Sequence, residues 1–193
     1  MSFKNVLFLS LIAVAILFSS CNNDDENNNN FTEEDLSTNA WLVTSIESNL
    51  DEQATVIANA LPAEITDFLG GPEFFAALLI AANADIETIE ACEGDDSYTF
   101  ATSGSIEFDN GGTLCEDSTE EDEDSAFVLP ATWTLADGDQ LTITDGDGDA
   151  TVSTILTLNS STLVMESRAN FSDPELGIET DQEIVIKISF AAK

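Results

Sequence analysis

The sequence predicts a mainly β domain, a small barrel or sandwich carrying a helical insertion after its first strand. Three observations lead there. Short runs of alternating apolar and polar residues recur at regular spacing from Ser97 to the C-terminus. Residues 51–91 replace that alternation with apolar side chains at helical spacing. Residues 22–38 hold only Phe31 and Leu36 as apolar side chains, too few to build a core, and read as a flexible tether.

Taken in order, Trp41 to Glu47 is rich in β-formers and is the expected first strand. Asp51 to Leu61 is helical in composition, with Asp51 and Glu52 suited to a helix N-terminus. Gly70 and Gly71 stop one helical stretch, and Pro72 suits the first position of the next. In Glu73 to Ala91 the residues Phe75, Leu79, Ala82, Ile86 and Ile89 recur at helical spacing, and Phe74, Leu78 and Ile80 widen the stripe. Such a helix either packs into the core, lids a cavity or touches lipid. Later strands are expected at 97–101, 105–108, 141–143, 152–158, 163–168 and 183–190. A longer one places Phe127, Leu129, Ala131, Trp133 and Leu135 on one face. Asn110-Gly111-Gly112 and Asp137-Gly138 are turn signals.

The N-terminus reads as an address. Lys4 precedes an apolar run from Val6 to Phe18, and small Ser19 and Ser20 precede Cys21. That is the pattern of a secretory signal. The Phe18-Ser19-Ser20-Cys21 junction resembles the bacterial lipobox, which implies diacylglycerol on the Cys21 thiol and attachment to an outer membrane, on its periplasmic or its cell-surface face. The expected organisation is a signal at 1–20, an acidic tether at 21–38 and one domain at 39–193.

Composition excludes several function classes. Without Lys4, three cations stand against 38 acids, a net charge of −35. Nucleic acid, whose phosphates require Lys and Arg, is not a partner for such a surface. There is no histidine, so Ser-His and Cys-His nucleophile pairs and most zinc sites are ruled out. The only enzyme chemistry left is that of paired carboxylates, with Asp95 and Asp96 the first pair to examine; the expectation is that the protein is not an enzyme. Cys92 and Cys115 remain as an even pair in an oxidising compartment, so a disulfide is expected, contributing about 3 kcal/mol on the chain-entropy model.

The stretch CEGDDSYTFATSGSIEFDNGGTLC also carries a resemblance. Cys92, the acidic Asp95 and Asp96, the aromatic strand with Tyr98 and Phe100, the turn at Gly104 and then Cys115 resemble the lipocalin-like domain family of bacterial lipoproteins. Trp41 on the opening strand and Trp133 on a strand after the Cys pair fit the same pattern, over roughly residues 40–190. The resemblance implies a small up-and-down lipocalin-like β-barrel with an apolar interior.

Two candidate sites follow. Trp41, Phe100, Phe108, Phe127 and Trp133 either line a cavity for a small apolar ligand or fill the core. Asp145, Asp147 and Asp149 alternate with glycines, a spacing that suits Ca²⁺ or an acidic hairpin turn. No other cofactor is expected. Two functional readings therefore stand: a lipid-anchored module binding a small apolar ligand, or an acidic surface or interaction protein that binds Ca²⁺.

Overall fold

The computed structural model describes residues 30–63, 67, 70–113, 129–173 and 178–193. Eight strands form a closed antiparallel barrel: β1 (Ala40–Ser48), β2 (Ser97–Phe100), β3 (Ser105–Asp109), β4 (Ala131–Ala136), β5 (Gln140–Thr144), β6 (Ala150–Leu158), β7 (Thr162–Asp173) and β8 (Ile178–Ala192). Each pairs with its neighbour in sequence, and β8 returns to β1, so the sheet closes on itself. This is the up-and-down barrel that the sequence predicts, with its helices inserted after the first strand. Among the described residues a short α1 (Glu33–Ser37) precedes β1, and α2 (Leu50–Ala60) and α3 (Pro72–Glu87) form that insertion.

Alternation decides which residues meet inside. Successive side chains of a strand point to opposite faces. Trp41, Phe100, Ile106, Ala131, Trp133, Leu141, Ile143, Ile155, Leu163, Met165 and Phe190 thereby join one buried cluster. The turns obey local chemistry. Asp137 and Gly138 both take positive φ, 53° and 81°, as the β4–β5 hairpin demands of an Asp-Gly pair.

One end of the barrel is plugged by α1. Thr32 and Asp35 form a capping box: the Asp35 N–H donates to Thr32 Oγ1 at 3.2 Å, and the Thr32 N–H donates to Asp35 Oδ2 at 3.0 Å. The helix delivers Leu36, fully buried, into the barrel cluster. Its carbonyl accepts the Trp41 Nε1–H at 2.9 Å. This corrects the expected tether, which ran to residue 38. Its two apolar residues, Phe31 and Leu36, both pack on the barrel core, Leu36 from within the five-residue helix.

The other end is longer and differently closed. β2 pairs only with residues 40–42 of β1, and the rest of β1 pairs with β8. β7 and β8 continue as a two-stranded ribbon from Arg168↔Val185 to Asp173↔Ile178. Ile184 and Ile186 follow the same alternation as Ile188 and Phe190, so the ribbon carries the barrel's inner face outward. Leu50, Ala54, Ile57 and Ala58 of α2, with Ala76, Leu79 and Ile86 of α3, cover that face and form a second cluster with Ile184. Polar anchors fix the helices there. Asn49 donates through Nδ2 to the Glu183 carbonyl at 3.2 Å and accepts the Val185 N–H on Oδ1 at 2.8 Å. Glu87 Oε1 accepts the Ser48 N–H at 2.9 Å.

Several boundaries differ from the sequence reading. The helix expected to reach Ala91 ends at Glu87, where Thr88 turns extended. The strand expected from Phe127 begins at Ala131, and Phe127 lies outside the described residues. β7 and β8 outrun the expected 163–168 and 183–190, because their added length is held by the mutual backbone ladder of the ribbon.

Candidate functional site

The aromatic residues singled out in the sequence converge in part. Trp41, Phe100 and Trp133 meet in the barrel cluster, each less than 5% exposed. The Phe100 and Trp133 rings meet edge to face, with centroids 5.8 Å apart at 90°, the geometry that aromatic quadrupoles favour. Both indole N–H groups are taken by backbone: Trp41 by the Leu36 carbonyl, Trp133 by the Ala101 carbonyl at 3.0 Å. Phe108 is half-buried at the edge of this cluster, 5.2 Å from the Tyr98 ring. These rings pack on one another, with their polar atoms already engaged.

Open apolar space lies elsewhere. A cavity of about 280 Å³ runs between α2 and α3, near the lower end of the range of about 300–1,000 Å³ usual for ligand sites. Buried Ala58 and Ala76 form its floor, and Ala77 and Ile80 its wall. Exposed Thr55, Asn59 and Glu73 form its rim. Asn59 donates an amide N–H to the Thr55 carbonyl at 2.8 Å, which leaves its Oδ1 as an acceptor at the rim. Ile80, in the groove wall, is 48% exposed, and Val56, Phe74 and Leu78 elsewhere on the two helices are 44–53% exposed, exposed apolar side chains of the sort that mark binding sites when contiguous. Small side chains on both helices create the groove: alanine at 58, 76 and 77 lets the helices close without filling the space between them.

Charge around the site is one-sided. Among the described residues Glu73 is the only charged one lining the groove, and residues 22–167 contain neither Lys nor Arg. The three cations beyond them are all paired: Arg168 with Glu166 and Glu183, Lys187 with Glu47, and Lys193 with Asp109. Hydrogen bonding to Glu166, foremost among several causes, holds the Arg168 pKa above its ordinary value. Beneath the roof, Asn83 of α3 is 4% exposed, and its Oδ1 finds no hydrogen-bond partner among the described residues.

The other sequence candidates fall apart from this groove. Asp145 Oδ1 accepts the N–H groups of Asp147 and Asp149 at 3.0 and 2.9 Å. The carboxylate thus organises the β5–β6 hairpin turn from within. Among the described residues no group of three acidic or cysteine side chains is arranged to hold a metal. Asp95 Oδ2 accepts the Gly112 N–H at 2.9 Å and so ties the turn before β2 to the turn after β3. Gly111, at φ 65°, packs so close that a Cβ there would sit 2.6 Å from the Asp95 carbonyl oxygen. Asp96 is buried next to it. Cys92 is buried in the turn that leads to β2; Cys115, like Cys21, lies outside the described residues.

The groove and the α1 plug are what sequence reasoning missed. Thr32-x-x-Asp35 before Leu36 is a legible capping signal. The groove had no such signal, since it depends on how two helices pack.

A family comparison agrees with the architecture. The family model described as a lipocalin-like domain matches residues 40–165, from the start of β1 into β7. No curated protein and no solved structure matches the chain. With a closed eight-stranded meander built on that match, the chain belongs to the lipocalin-like domain family.

Proposed function

We propose that this protein is a non-catalytic binding module of the cell envelope, anchored by lipid on Cys21, that holds a small apolar ligand at the helix-covered end of its barrel. The observation that carries this reading is the cavity between α2 and α3, with its alanine floor and exposed apolar surround. The barrel cluster supplies the rigid scaffold beneath it. The secretory pattern at 1–20 and the lipobox-like junction support anchoring to an outer membrane, on the periplasmic or the surface face. No cofactor enters the proposal.

We also propose that Cys92 is bridged to Cys115. Cys92 is held as a half-cystine, and the β2–β3 register supports that partner. Ser97 faces Asp109 in the ladder, and the Asp95–Gly112 hydrogen bond holds the two chains together beyond it.

Native mass spectrometry of the protein purified from its own envelope tests the ligand. A small apolar adduct that disappears in Ala77→Trp is expected. An adduct-free protein that also ignores apolar probes would remove the binding reading. Metabolic labelling with palmitate tests the anchor; label retained in Cys21→Ala would refute it.

A further inference from the structure

We propose that the groove between α2 and α3 selects its ligand by charge, taking a single alkyl chain with a cationic head and rejecting the same chain with a carboxylate head. This rests on the binding reading above and names the ligand class for that site.

The apolar half of the selection comes from the floor and wall. Ala58, Ala76, Ala77 and Ile80 can cover a methylene chain, at about four-fold in affinity per methylene removed from water. This half is blind to the head group. The polar half comes from the rim, where Thr55, Asn59 and Glu73 present oxygen acceptors. A cationic head finds a carboxylate and hydrogen-bond acceptors there. An anionic head finds a like charge.

Nothing nearby reverses this preference. Neither helix contains Lys or Arg, and every cation of residues 30–193 is already held by a carboxylate on another element. The N-terminal dipole of α3 would favour an anion, but Glu73 sits in that first turn and meets it. The field of a chain with 38 acids and four cations adds to the local effect, concentrating cations and depleting anions at every opening of the surface.

The test uses the full chain carrying Cys21→Ser, which cannot take the lipid, titrated calorimetrically with octylammonium, 1-octanol and octanoate below their aggregation limits. Attraction and repulsion at an exposed site are each worth up to about five-fold, so octylammonium is expected to bind about ten-fold tighter than octanoate, with octanol between. Added salt should shrink that ratio. Glu73→Gln should bring octylammonium and octanol toward equal affinity. Ala77→Trp, or Thr55→Trp from the opposite wall, should lose all three. Octanoate binding as tightly as octylammonium overturns the charge selection and leaves the binding site standing. The charge selection is overturned in the same way if Glu73→Gln keeps the full preference. Failure of all three probes to bind overturns the site itself, and the selection with it.

Discussion

The two ends of this barrel are closed in opposite ways. At the α1 end a single side chain, Leu36, is fully buried, and the neighbouring indole N–H is satisfied by the backbone. At the α2–α3 end two helices cover the inner face, yet leave a groove and four exposed large apolar side chains. Packing for stability alone does not require large apolar side chains to stay exposed beside a groove. Under the proposed function, the contrast separates a scaffold end from a binding end. It also places the binding end on an insertion, where the barrel ladder does not restrict the sequence.

The contrast is broken most severely from the scaffold side. Trp41→Ala should cost about 3–5 kcal/mol, as deletion of a buried aromatic does, and should lower the urea midpoint for the whole domain. A loss confined to the helices would mean that the two clusters fold independently. Leu36→Ala should cost about 2–5 kcal/mol by the same cavity effect and leave binding of apolar probes at the helix groove intact. If probe binding is lost while the barrel stays folded, the two ends are coupled.

On the other side the sign should reverse. Asn83→Leu replaces a buried amide oxygen that has no partner among the described residues with an apolar group of similar volume, and should stabilise the protein by about 1 kcal/mol. A lower urea midpoint would instead show that Asn83 has a structural role. The smallest effect belongs to the C-terminus. The Lys193 hydrogen bond, helped by the Gly111 N–H, holds the Asp109 carboxyl below its ordinary pKa. A depressed carboxylate pKa stabilises above the unfolded value and is lost as pH falls through the folded one. Lys193→Ala should therefore lower the thermal midpoint slightly at pH 7 and converge on the parent well below pH 4; a difference that persists at pH 2 would assign the effect to packing.

Much of the barrel was legible because alternation is read residue by residue. Leu141 and Ile143, Leu163 and Met165, and Ile188 and Phe190 announce an inner face without reference to any partner. The ribbon was not legible, because residues 168–183 hold few apolar side chains and owe their strand form to each other's backbone. α1 was missed since one Leu in an acidic stretch has no periodicity. Three of the aromatic candidates, Trp41, Phe100 and Trp133, meet in one cluster, but rings that pack a core and rings that line a cavity have the same spacing. What separates them is whether their N–H groups and edges are already occupied, which is a fact of three dimensions. The one part of the site that composition did foreshadow was its charge.

The direction in which the chain leaves the barrel has a further consequence. Residues 30–32 emerge beside the 137–139 turn, where the Phe31 N–H donates to the Gly138 carbonyl; α2 starts at the far end of β1. Eight strand steps, roughly 27 Å, separate the two. With Cys21 as the mooring, a leash of nine residues spans at most about 30 Å. Under the proposed anchor on Cys21, the chain meets the barrel at its plugged end, and the groove opens at the end away from that attachment. Molecules would then be captured from the aqueous space ahead of the protein, not lifted out of the leaflet that holds it.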